Sequence, residues 1–183
     1  MKQKLKTALA FAKNIFETGA ISETSRDAEI AICKHLSNAP NKVFVEFGIG
    51  HGNITQEILN SISKTSKLYA FEVNKDFCDH VKETIPDERL IVINEGAEKI
   101  KEFVKEPVNG VVSSIPFSFF SKEKAFAILQ DAYDLMEDNA YFNQVLYTKF
   151  NFKKFQKVFD DCKMSSNKKL LTEYIYYCKK SKS

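Results

Sequence analysis

The feature that most restricts the fold of this 183-residue chain is a repeated switch of hydrophobic period. Short apolar runs are each followed by a stretch whose apolar residues return every three or four positions. Lys42 to Phe47 reads as a strand, and Asn53 to Ile62 then sets Ile54, Ile58, Leu59 and Ile62 on one helical face. The unit recurs as 68–71 with 76–85, 90–93 with 97–104, and 108–112 with 122–136. Pro86 and Pro107 fall between units, where a residue without a backbone donor ends a helix. Residues 140–147 read as a further strand, 150–159 as a helix with Phe155, Val158 and Phe159 inward, and 171–178 as a closing strand. Such alternation predicts an α/β fold, a parallel sheet covered by helices on both faces, with ligands beyond the carboxyl ends of the strands. Ahead of the first strand, 2–16 and 25–37 read as two added helices, so 1–38 is expected as a helical extension and 39–183 as the main domain, together one structural unit.

Composition narrows the class. With 44% apolar residues and 16 Phe, the chain can bury one good core and is not a low-complexity or disordered chain. No apolar run reaches the roughly 18 to 20 residues needed to span a bilayer, and no signal-peptide core precedes a cleavage site, so a cytoplasmic location is expected. Cys33, Cys78, Cys162 and Cys178 form no CxxC pair and are expected as buried or idle thiols. His35, His51 and His80 lack metal-ligand spacing, so no metal site is expected.

Charge is uneven. Residues 1–16 carry +4 and 149–183 carry +7 against a total of +3, which leaves −8 on residues 17–148. The basic ends are therefore the parts expected to meet an anionic partner, either a lipid surface or a nucleic acid. On a helical projection Leu5, Ala8, Leu9, Ala12, Ile15 and Phe16 share one face flanked by Lys2, Lys6 and Lys13. That arrangement suits a membrane surface and equally an amphipathic helix packed on its own domain.

The chemical signal is Glu46-Phe47-Gly48-Ile49-Gly50-His51-Gly52-Asn53, placed where the first strand gives way to a helix. Glycines there let a ligand approach the backbone beside free helix N–H groups. A dinucleotide fingerprint would need glycine at Asn53, whereas E-x-G-x-G-x-G fits an S-adenosylmethionine loop. Glu72, twenty residues beyond Gly52 at the end of the second strand, stands where a carboxylate can accept both ribose hydroxyls.

With these residues in view, the chain resembles the class I methyltransferases, and more narrowly the bacterial phospholipid N-methyltransferases, relatives of the rRNA adenine dimethyltransferases. The resemblance rests on 18–26 (TGAISETSR), 45–52 (VEFGIGHG), 71–78 (FEVNKDFC) and 111–117 (VVSSIPF). It implies a Rossmann-like, mostly parallel seven-stranded sheet. It also implies a cofactor site in which Gly48 and Gly50 pass under the methionine end, Glu72 holds the ribose, Val73 lies on the adenine and Ser113 lines the cofactor near the transferred methyl, with Glu46 and Ala97 as further cofactor-binding residues. The adenine amine falls to Glu95 or Glu98. Ser114, Phe117 and Tyr147, with Phe119, are the candidates at the reacting end. Ser113, where adenine N6 enzymes carry Asn or Asp, presents a shorter acceptor. The expected activity is therefore methylation of the phosphatidylethanolamine amine at the inner membrane surface; the alternatives are rRNA adenine N6-methylation and a non-catalytic S-adenosylmethionine-binding interaction protein.

Overall fold

Five parallel strands and one antiparallel hairpin build the sheet that carries every candidate residue. The computed structural model describes residues 24–149, 151–168 and 172–181, with only the backbone of Lys168. In chain order the elements are α1 (Arg26–Ile32), β1 (Val43–Phe47), α2 (Asn53–Ser61), β2 (Lys67–Phe71), α3 (Lys75–Thr84), β3 (Leu90–Ile93), α4 (Ile100–Phe103), β4 (Val108–Ser113), α5 (Lys122–Leu135), β5 (Met136–Leu146), α6 (Phe152–Phe155), β6 (Asp161–Lys168) and β7 (Thr172–Lys179). Single 3-10 turns occupy Ala97–Lys99 and Phe117–Phe119. The expected helix at 2–16, and the stretch 18–23 of the resemblance, lie outside the described residues.

The strand order is β3-β2-β1-β4-β5-β7-β6, with β1 to β5 parallel and β7 antiparallel to both its neighbours. The order reverses between β1 and β4, and that switch point is where an open α/β sheet leaves a crevice at its carboxyl edge. The β1 strand is buried along its whole length, as a central parallel strand covered on both faces must be. Its side chains alternate. Val45 and Phe47 enter a core with Phe71, Val111, Ile128, Phe142 and Phe155 beneath α4, α5 and α6. Phe44 points the other way, into a core with Ile32, Ile58, Leu68 and Val145 beneath α1 and α2. Each fully buried Phe contributes about 1.5–3 kcal/mol relative to an exposed ring.

Helix α1 is integrated into that second layer. Asn143 Nδ2 donates to the Ile32 carbonyl at 2.7 Å and the Tyr177 hydroxyl donates to the Ala31 carbonyl at 2.9 Å. The helix stops at Ile32, short of the expected 37, and among the described residues of the expected helix 150–159 only the four-residue α6 is helical. Strand β5 begins at Met136, four residues ahead of the expected start, because Met136 already pairs with Val108 through an irregularity in the register. Strand β6 has no counterpart among the six strands read from periodicity and supplies the seventh that the resemblance implies. It brings Cys162 opposite Cys178, their Sγ atoms 2.7 Å apart as free thiols, so these two cysteines are neighbours rather than isolated residues.

Candidate active site at the β1 and β4 strand ends

Registry sets the site. Phe47 pairs with Ser113 across β1 and β4, and the Ser114 N–H donates to the Phe47 carbonyl at 2.9 Å, so the glycine loop and residues 113–117 leave the sheet side by side. Gly48 has φ +85, and a Cβ there would stand 2.8 Å from Ser114 Oγ and 3.0 Å from Ile115 Cγ2. Glycine is what lets the two loops touch, and Ser114 Oγ uses the closeness to donate to the Gly48 carbonyl at 2.8 Å. Gly50, with φ +54, is the opposite case: a Cβ would meet nothing within 4 Å. Its backbone therefore borders open space that a side chain would fill.

Two carboxylates face this loop. Glu72 Oε2 accepts the Gly50 N–H at 3.2 Å and Oε1 accepts the Asn74 N–H at 2.9 Å, while its backbone carbonyl takes the Asn94 amide at 2.9 Å. Burial pushes the Glu72 carboxyl up, and the backbone N–H groups of Asn74 and Gly50 pull it back. The backbone N–H groups of Val73 and Ile49 also act on this carboxyl and pull it the same way. Glu46 is buried on β1. Thr55 Oγ1 donates to its Oε2 at 2.8 Å, whereas Oε1 has no partner. Burial pushes Glu46 up to about 8, against the Thr55 bond and with help from the Glu72 charge, so at neutral pH it is mainly a neutral acid. Ser113 Oγ is also buried without a partner. A loop whose amide is committed to a carboxylate is no phosphate cradle. Orphaned polar atoms at Glu46 and Ser113, an open flank at Gly50 and a carboxylate at the end of β2 beside it fit a nucleoside with an amino-acid end, S-adenosylmethionine among them.

The remaining candidates are divided. Val73 is 45% exposed beyond β2, and Ala97 is buried at the start of its turn. Glu98 is in an ion pair with Lys124 of α5 at 2.8 Å, while Glu95 stands exposed. Tyr147, just past β5, is half-buried and bonded to the Thr24 side chain, and burial pushes its phenol up. Phe117 is fully buried, its ring edge-on to Phe155 at 5.1 Å and Phe120 at 5.9 Å, so it supports the loop from inside rather than facing the crevice. Phe119 is the exposed ring of that turn, at 45%.

Two features escaped sequence reasoning. Glu173 of β7, buried at the same edge of the sheet, accepts the Ser25 N–H at 2.8 Å and the Ser25 hydroxyl as well, which fastens the start of α1 next to Tyr147. The His51 ring of the glycine loop packs edge-on to Phe77 at 4.8 Å and lies 5.9 Å from His80. Neither left a signal in the sequence, since both contacts join residues whose spacing follows no motif. Among the described residues no group of three or more His, Cys, Asp or Glu could hold a metal ion.

Comparison with known proteins agrees with this geometry. No family model matches the chain. A ribosomal RNA small subunit methyltransferase H of Flavobacterium johnsoniae is 30% identical over 104 residues, covering 53% of this chain and 33% of the relative. A ribosomal RNA small subunit methyltransferase A of Mycoplasmopsis pulmonis is 25% identical over 95 residues, covering 52% of this chain and 36% of the relative. The chain thus spans about a third of the length of the curated relatives it matches. Among solved structures, a Streptococcus mutans protein in complex with SAH superposes with a TM-score of 0.65 at 15% identity, over 87% of this chain and 99% of its own. The sheet order, the crevice and these likenesses together establish that the chain has the Rossmann-like fold of the class I S-adenosylmethionine-dependent methyltransferases.

Proposed function

We propose that the chain is an S-adenosylmethionine-dependent methyltransferase whose acceptor is RNA. The observation that carries the cofactor assignment is the Glu72 carboxylate, fixed by the Gly50 and Asn74 N–H groups beside the open flank of Gly50. In this reading Glu72 takes the ribose hydroxyls, Gly48 and Gly50 lie along the amino-acid end, Val73 and Ala97 border the adenine, and Glu95, which is not held in an ion pair with Lys124 as Glu98 is, accepts the adenine amine. When bound, the cofactor supplies a methyl group already activated by a sulfonium centre. The protein's own part is then positioning and exclusion of water. Ser114 Oγ, held by its bond to the Gly48 carbonyl, retains lone pairs toward an incoming nucleophile. Tyr147 keeps its proton at neutral pH, so it orients a nucleophile and does not act as a base.

RNA is preferred to phosphatidylethanolamine because the relatives carry rRNA methyltransferase names and none of the support is lipid-specific. The lipid expectation leaned on both basic ends, of which residues 2–16 lie outside the described residues, and on Ser113 as too short an acceptor for an adenine amine; Ser113 is fully buried. A fold of this kind does not by itself choose an acceptor, and the test is therefore direct. Protein with methyl-labelled S-adenosylmethionine is offered small-subunit ribosomal RNA and, separately, anionic vesicles containing phosphatidylethanolamine. Label is expected in the RNA. Label in the lipid alone would overturn the acceptor, and label in neither, with cofactor still bound, would leave a binding role.

A further inference from the structure

Strand β6 is the outer edge of the sheet and has β7 as its one strand neighbour, whereas β7 is also paired to β5 from Leu146–Tyr174 to Tyr141–Lys179. A single ladder therefore holds β6. Most of its described side chains are exposed; Cys162 is the one that packs against the buried cluster, and Met164 on the same face is 42% exposed.

At that point two thiols meet. Cys162 and Cys178 are directly opposed in the antiparallel register, which sets Cα atoms about 4.5–5.5 Å apart, inside the window of about 4.4–6.8 Å that a disulfide spans. Their Sγ atoms approach to 2.7 Å. Cys178 is buried and Cys162 is partly exposed, so one sulfur of the pair is open to a small reagent from solvent and the other is reached through it. Burial pushes the Cys178 thiol up, and it keeps its proton at neutral pH. The other two cysteines are placed apart from this pair: Cys33 sits in the opposite core layer beneath α1, and the Cys78 Sγ contacts the Glu72 carbonyl at 3.5 Å.

We propose that Cys162 and Cys178 are an oxidisable thiol pair, which a hydroperoxide converts to a disulfide that fastens the edge strand β6 to β7. Cys162, having given its proton to water, attacks one peroxide oxygen as a thiolate; the O–O bond breaks, Cys162 becomes a sulfenic acid, and the departing hydroxide takes a proton and leaves as water. The Cys178 sulfur then attacks the sulfenic sulfur. The S–S bond forms, the S–O bond breaks, and the leaving hydroxide carries off the Cys178 proton as a second water. Two thiols and one hydrogen peroxide thus give one disulfide and two waters. The link closes a loop from 162 to 178 and so removes conformations from the unfolded chain. It lies away from the crevice, because Cys178 is in register with Phe142 inside β5 and not with Leu146 at its end. This assignment holds whatever the acceptor of the methyl group.

The test uses the full chain, reduced, freed of reductant and treated with a small excess of hydrogen peroxide. Thiols titrated in denaturant should fall from four to two. Trypsin, cutting after Lys157, Lys163, Lys169 and Lys179, should release peptides 158–163 and 170–179 joined by a disulfide that dithiothreitol separates. The oxidised protein should melt at a higher temperature and exchange the amide hydrogens of 161–168 more slowly. Cys162→Ser, shown to be folded by a cooperative melt, should gain neither the link nor the rise in melting temperature. Four thiols retained, a sulfinic acid on Cys162 beside a free Cys178, or the two peptides joined only when the chain is oxidised in urea would each overturn the pair. A joined pair with unchanged exchange in 161–168 would overturn its role as a fastening of β6.

Discussion

Glu72 Oε2 accepts the Gly50 N–H at 3.2 Å, so the carboxylate at the end of β2 and the turn after β1 are held as one piece before any ligand arrives. That bond lets a loop with φ +54 at Gly50 remain ordered while its flank stays open. It also separates the roles of two glycines that look alike in the sequence.

Gly50→Ala and Gly48→Ala are expected to fail differently. At Gly50 the added methyl enters open space and costs only the strain of a left-handed backbone, about 1–2 kcal/mol, but it occupies the place of the ligand. At Gly48 the methyl meets Ser114 Oγ at 2.8 Å and Ile115 Cγ2 at 3.0 Å, so overpacking of about 1–3 kcal/mol adds to the same strain. Urea melts should show the larger loss for Gly48→Ala, while SAH titration should show the larger loss of affinity per kcal/mol of stability for Gly50→Ala. Equal behaviour of the two would remove Gly50 from the ligand's border.

Glu46 predicts a pH dependence of stability. Its folded carboxyl is pushed up to about 8 from 4.5, so the folded protein holds this proton more tightly than the unfolded chain. The resulting stabilisation is complete below about pH 4.5 and is lost as pH rises through about 8. Glu46→Gln keeps the shape, cannot ionise, and should gain on the wild type steadily between pH 5 and 9. Urea midpoints measured for both at pH 5, 7 and 9 check this; parallel pH curves would mean that Glu46 is not buried as a neutral acid.

Ser25 and Glu173 form the fastening between α1 and the sheet. Ser25 caps α1 through the Ala28 N–H and also donates its N–H and hydroxyl to the buried Glu173 carboxylate. Ser25→Ala should cost about 1–2 kcal/mol as a lost cap, and the half-satisfied Glu173 adds to that loss. Glu173→Gln, which retains an acceptor oxygen, should cost less. A thermal melt showing no change in Ser25→Ala would show that the N-terminal end of α1 is not held at this point.

These relationships differ in how far the sequence reveals them. Strand β1 and helix α2 were legible because Val43 to Phe47 is uniformly apolar apart from Glu46, glycines follow, and Ile54, Ile58 and Leu59 repeat with helical spacing. Glu72 was legible from its distance to the loop. Strand β6 was not, since Asp161 to Lys168 offers only Cys162 and Met164 as apolar residues among polar ones and exists through its pairing with β7. The neighbouring of Cys162 and Cys178 follows from that hairpin register and from nothing local. Phe117 lay in a readable loop, yet the direction of its ring depends on Phe155, 38 positions away, which no pattern of spacing links to it. The Ser25 contact with Glu173 joins residues 148 apart by hydrogen bonds alone, so no hydrophobic pattern marks it.

The central claim is that the loop tied to Glu72 is an S-adenosylmethionine site, and calorimetric titration of S-adenosylmethionine into the wild type and Glu72→Ala tests it most directly. One molecule should bind per wild-type chain, and the variant should lose about 1.5–3 kcal/mol, roughly ten- to 150-fold in affinity, as expected for hydrogen bonds to a charged group. No binding by the wild type, or equal affinity in a Glu72→Ala protein that remains folded, would contradict the account.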